Sequence, residues 1–194
     1  MLTLIMLCIT QPNNDLFSKL DALYDRQIAH YLAEIDGAKK NQALYSKMKQ
    51  QLAAIQKNYL LSIPMFDFNK GVESGDLGNL GYHMEKTSKT LGNGPDGNPV
   101  KVSGYEKTLR PCKVRTVADN GGVILSFPPF SRGEQVIVKG LPKEMIVEDK
   151  VIHLDKFIME YAGKFDGIRS YTCVGNEASY QAWQKYRAAK DKRK

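Results

Sequence analysis

Cysteine, histidine and tryptophan are scarce in this chain, at three, three and one in 194 residues. Cys8, Cys112 and Cys173 form no CxxC pair, and His30, His83 and His153 fall in three separate segments. Zinc needs clustered nitrogen and sulfur ligands at short spacings, and a nucleophilic Cys or Ser needs a partnered base, so neither chemistry is announced. No apolar run approaches the roughly 20 residues of a membrane-spanning helix. Proline is missing between Asp15 and Ser62, and only one glycine, Gly37, falls there, so the usual helix breakers are nearly absent from that stretch.

What is present is an ordinary globular composition, 42% hydrophobic and 25% charged, enough for one core or two small units. The formal charge is +7, but its location is uneven. Lys185, Arg187, Lys190, Lys192, Arg193 and Lys194 face one acid, Asp191, so the last eleven residues carry +5 and the rest of the chain only +2. Residues 185–194 therefore read as a solvated basic tail, and those six cations are the candidate contacts for an acidic polymer.

The first ten residues, MLTLIMLCIT, are apolar apart from Thr3 and Thr10, and the polar turn formers Gln11–Asn14 end the run. This length matches a signal-peptide core, so residues 1–11 are read as an export leader, with a buried leading segment as the alternative. Export to the periplasm or cell envelope would remove Cys8 and leave Cys112 and Cys173 as an even pair in an oxidising compartment. A disulfide between them is one reading, and two buried thiols in neighbouring strands is the other.

Residues 15–62 read as a helical coil. Phe17, Leu20, Tyr24, Ile28, Tyr31 and Ile35 step by 3, 4, 4, 3 and 4, and Leu44, Met48, Leu52, Ile55 and Tyr59 step by 4, 4, 3 and 4. Asp36-Gly37 between the stripes allows either a hairpin or one long rod. Residues 15–36 carry a net −3 and residues 39–57 carry five lysines and no acid, which favours antiparallel packing within the chain or with a second helical chain.

From Met65 the composition turns to Gly, Val, Ile and Tyr, and residues 65–184 read as a β-domain. Seven glycines between Gly71 and Gly97 imply a loop-rich approach with one short strand near Leu80–Tyr82. Lys113–Val117, the turn Asp119–Gly122 and Val123–Phe127 form a hairpin pattern. Glu134–Lys139, Lys150–Leu154, Lys156–Tyr161 and Ile168–Cys173 follow as short strands, and Ala178–Trp183 is read as a last strand in preference to a short helix. The expected fold class is α+β: an amphipathic helix or helical hairpin, then a small antiparallel barrel or sandwich of SH3-like or OB-like type.

Gly75–Tyr82 (GDLGNLGY) and Gly167–Thr172 (Gly-x-x-Ser-Tyr-Thr), together with the order of leader, helical coil and strand pair, resemble exported bacterial proteins of uncharacterised function. The resemblance covers most of the chain and brings no catalytic or binding residue with it. The segment from His83 to Tyr105 departs from the pattern.

Two motifs dissolve on inspection. Gly92–Gly97 matches GxGxxG, yet no buried strand precedes it, Pro95 removes a donor and Asn98-Pro99 stands where a helix must run. Asp96 and Asp119-Asn120 lack the spaced oxygens of a calcium loop. The reading is thus a non-enzymatic, exported interaction protein without cofactor or metal. Its helical stripe would assemble with itself or another helix, and its β-domain and tail would recognise a protein or an acidic polymer. The alternative is a cytoplasmic OB-like nucleic-acid binder, its aromatics stacking bases and Lys113, Arg115, Lys139 and Arg169 neutralising phosphates.

Overall fold

A computed structural model describes residues 14–66, 71–93, 95–118, 121–130 and 133–193. The leader, Cys8, the Asp119-Asn120 pair and Lys194 lie outside these residues. The chain divides into a helical unit, Met1–Ser62 with Glu177–Lys194, and a β unit, Ile63–Asn176.

In the helical unit, α1 (Asn14–Gly37) passes through a 3-10 turn at Ala38–Lys40 into α2 (Gln42–Asn58). Gly37 keeps right-handed helical angles, so it is not the break. The break is Asn41, whose extended backbone leaves the helix and whose Oδ1 accepts from the Leu44 amide at 3.1 Å, capping α2. At the far end Tyr59 takes the left-handed conformation and Leu60 N closes on Ile55 O. The Tyr59 ring lies 5.9 Å from that of Tyr24, and Gln27 donates to Ser62 O, so α2 returns along α1 as an antiparallel hairpin rather than a rod.

The third helix corrects the expected tail. Residues 177–191 form α3 (Glu177–Asp191), where a strand and then a free basic segment were expected. Trp183 is wholly buried, with its ring 5.7 Å from Tyr24, and Tyr186 stands 5.2 Å from Phe17, so α3 runs antiparallel to α1. The α1 stripe at Phe17, Leu20 and Tyr24 therefore finds apolar partners within the chain.

Among the described residues the β unit holds nine strands: β1 (Leu77–Gly78), β2 (Tyr82–Asn93), β3 (Pro99–Leu109), β4 (Cys112–Val117), β5 (Gly122–Ser126), β6 (Gln135–Lys139), β7 (Val151–Ile152), β8 (Phe157–Phe165) and β9 (Ile168–Asn176). Seven of them form one sheet in the order β1-β8-β9-β6-β5-β4-β7, antiparallel throughout except for the parallel pair β6 and β9. The two-residue strands β1 and β7 are its edges, so the sheet is open rather than closed into a barrel. The hairpin expected at Lys113–Phe127 is β4 and β5, with Val114 opposite Leu125.

Alternation sorts the side chains. Val114, Val123, Leu125, Phe127, Val136, Val138, Met159, Tyr161 and Tyr171 are buried on one face, covered by Leu80, Leu141, Ile152 and Leu154. The GDLGNLGY segment belongs to this cover. Asn79, 6% exposed, donates to Asp155 O at 2.8 Å and Phe157 O at 3.1 Å, and accepts from Gly81 N at 2.7 Å. Gly81 presses its Cα against the Asp155 backbone, where no side chain fits. The motif is thus a packing device for residues 154–157.

The remaining pair, β2 and β3, forms a separate two-stranded ribbon where a loop and one short strand were expected. Two glycines of the GxGxxG match belong to its tip, Gly92 at the end of β2 and Gly97 in the turn before β3, and Gly94 lies outside the described residues.

Candidate interaction surfaces

The six predicted polyanion contacts do not share one role. Arg187 is 9% exposed and spent on acids: Nη2 reaches Asp25 at 2.9 Å, Nη1 reaches Asp21 at 3.2 Å and Nε reaches Asp191 at 3.2 Å. Lys190 Nζ lies 2.6 Å from Asp21 Oδ2, and the indole of Trp183 donates to Asp21 Oδ1 at 2.9 Å. Burial alone would raise the Asp21 carboxyl, but the donors Lys190, Trp183 and Arg187 outweigh it and hold it below its ordinary 3.8. Arg187 is likewise pulled two ways: desolvation disfavours its charge, and the hydrogen bonds it donates to Asp25, Asp21 and Asp191 more than restore it. Of the predicted contacts, Lys185, Lys192 and Arg193 remain exposed, and Lys194 is outside the described residues. The cations that meet α1's Asp21 and Asp25 come from α3, not from the lysines of α2.

Cys112 and Cys173 are free thiols. Strands β6 and β5 lie between their strands in the sheet, and each Sγ donates to a carbonyl, Cys112 to Ile152 O and Cys173 to Gly175 O. Burial pushes the Cys112 thiol up to about 12. Iodoacetamide at pH 8 is therefore expected to leave Cys112 unmodified in the native protein and to alkylate it once urea unfolds the β unit; peptide mass analysis reads both states.

On the sheet, the cations predicted to neutralise phosphates are mostly engaged. Arg169 and Arg110 grip Glu134 at 2.7 and 3.0 Å, Arg115 donates to Phe130 O, and Lys113 holds Asp149 at 2.8 Å, lowering that carboxyl. Arg110 also lies 3.8 Å over the Phe127 ring. Of the predicted four, Arg115 and Lys139 have no ion pair among the described residues, and Arg115 is held by the Phe130 carbonyl. The aromatics divide similarly: Phe127, Tyr161 and Tyr171 are core of the β unit and Trp183 of the helical unit, whereas Tyr105 and Phe165 are 70% and 65% exposed. His30 stands beside Glu34, His83 beside Thr108, and His153 follows β7; among the described residues no group of three metal-ligating side chains forms.

The ribbon is the surface that sequence reasoning missed. Its register pairs Tyr82 with Leu109, Met84 with Lys107, Lys86 with Tyr105 and Ser88 with Ser103, which puts these eight residues on one face. Met84, Tyr105 and Leu109 are 49%, 70% and 53% exposed, and Lys107 Nζ sits 4.0 Å over the Tyr82 ring. Those paired positions hold two lysines, two tyrosines and no acid. The opposite face pairs Glu85 directly with Glu106 and His83 with Thr108. The ribbon thus has a basic, aromatic face, and its back carries the Glu85–Glu106 pair.

Among the described residues no helix is long and apolar enough to cross a membrane. Compared with protein families, with curated proteins and with solved structures, the chain matches none of them.

Proposed function

We propose that this is a non-enzymatic, exported recognition protein that holds an acidic polymer on the basic, aromatic face of its β2–β3 ribbon. The observation that carries the reading is the ribbon's charge asymmetry at exposed positions: Lys86 and Lys107 beside Tyr82, Tyr105 and Met84 in front, Glu85 opposite Glu106 behind. A two-stranded ribbon exposed on both faces buries little, and such hairpins are marginal in isolation, so its length is explained by contact with a partner. The paired Glu85 and Glu106 on the back would repel a polyanion that approached them. Export rests on the leader, since the free thiols of Cys112 and Cys173 lend it no disulfide. The nucleic-acid alternative moves from the sheet, whose predicted cations other than Lys139 are engaged, to this same ribbon.

Fluorescein-labelled polyglutamate and labelled oligo-dT, titrated against the full chain at several salt concentrations, test the proposal. Lys86→Glu with Lys107→Glu is expected to weaken polyglutamate binding at least about tenfold and to reduce its salt dependence. Equal affinity in that variant, or binding lost instead on neutralising Lys185, Lys192 and Arg193, would overturn the assignment to the ribbon. Tyr105→Ala separates the two polymers, because stacking contributes about 1–3 kcal/mol per base to single-stranded nucleic acid and nothing comparable to polyglutamate.

A further inference from the structure

On the face of the seven-stranded sheet away from the core lies a hollow of about 370 Å³, and nothing in the preceding reading uses it. Its apolar residues include Ile124 of β5 and Ile137 of β6, paired across the register. Ser170 and Thr172 of β9 continue the same row, opposite Ile137 and Lys139. The hollow exists because small residues surround these side chains: Ala118, Gly122 and Ala162 leave space that larger ones would fill. An irregularity between Tyr161 and Gly163 re-aims the end of β8, bringing Lys164 and the exposed Phe165 ring to the lining.

The charge of this hollow has one sign. Lys139 and Lys164 line it, and neither enters an ion pair among the described residues. No Asp or Glu lines it, for Glu160, opposite Thr172, and Asp166, at the hairpin tip, are outside the lining. Half-buried isoleucines and an exposed phenylalanine ask for an apolar occupant, and Lys139 with two hydroxyls asks for an anionic head. A neutral chain satisfies only the first demand and an inorganic anion only the second. We propose that this hollow binds a single-chain amphipathic anion, a medium-chain carboxylate whose tail covers Ile124, Ile137 and Phe165 and whose head meets Lys139 beside the Thr172 hydroxyl. The volume falls within the about 300–1,000 Å³ of small-molecule sites. No lining residue belongs to the ribbon, so the site is independent of polymer binding.

Dodecanoate and neutral dodecanol, each titrated below its aggregation limit into the full chain by calorimetry, test this. Saturable dodecanoate binding is expected, lost by at least about tenfold in Ala162→Trp, which fills the hollow from an exposed position. Lys139→Gln is expected to weaken dodecanoate about tenfold and to leave dodecanol unchanged. Absence of saturable dodecanoate binding, equal binding by a folded Ala162→Trp protein, or indifference of dodecanoate to the lysine variant would each overturn the proposal. The lysine variant keeps the test decisive should Ala162→Trp fail to fold. Lys86→Glu with Lys107→Glu is expected to leave dodecanoate affinity unchanged, which keeps failure here distinct from failure of the ribbon reading.

Discussion

Asp21→Ala is expected to destabilise the helical unit by about 3 kcal/mol, because removing one member of a buried charge cluster strands the others. Arg187 would keep Asp25 and Asp191 but lose its most buried acid, Lys190 would lose its carboxylate, and the Trp183 indole would lose its acceptor. Trp183 is the only tryptophan in the chain, so its fluorescence during urea unfolding reports on this unit and not on the sheet. A midpoint equal to that of the unaltered protein would show that the cluster adds nothing net. The same carboxyl makes the unit acid-sensitive. Its folded pKa lies below 3.8, so its contribution is present above that value and is lost as pH falls from there through the folded pKa. Asp21→Asn is expected to flatten that limb of a Trp183-monitored pH titration.

Gly81→Ala is the second large effect, expected to cost the β unit about 3 kcal/mol, the upper end of the overpacking range. A Cβ there would lie 2.6 Å from both Asp155 Cα and Leu154 C, and backbone at such distances cannot step aside like a flexible side chain. The obstruction would lift Leu80 and the Asn79 anchor away from Leu154, a wholly buried core residue. Amide exchange at Val136 and Val138, central in the sheet, is the measurement: both should lose protection together. Unchanged protection would mean that residues 78–81 are not part of the cooperative core.

The 3.6-residue stripes of residues 17–59 and the Lys113–Phe127 hairpin are legible because one face of each is apolar and the other polar. The ribbon escapes that test. Tyr82–Thr90 and Ser103–Leu109 mix Lys, Thr, Ser and Glu with single apolar residues, since neither face is buried, so no period of two emerges. Its turn glycines then read as loop. Helix α3 escapes for a different reason: its buried positions are Trp183 and Arg187, four apart, and the second is an arginine that counts as tail charge until Asp21 and Asp25 are placed beside it. Nothing in residues 177–193 breaks a helix, as the lack of Gly and Pro there already signals. The disulfide reading rests on parity of cysteines, which carries no information on strand order.

Because α1, α2 and α3 form one unit while residues 63–176 form another, synthesis meets the two in an inconvenient order. When α1 leaves the ribosome its partner α3, with Trp183 and Arg187, is still unmade, and the whole of the intervening unit must be translated first. At about 5–20 residues per second that interval is roughly 6–23 s. During it, Leu20 and Tyr24 wait uncovered beside an unneutralised Asp21, the period in which a holding factor would have most to bind.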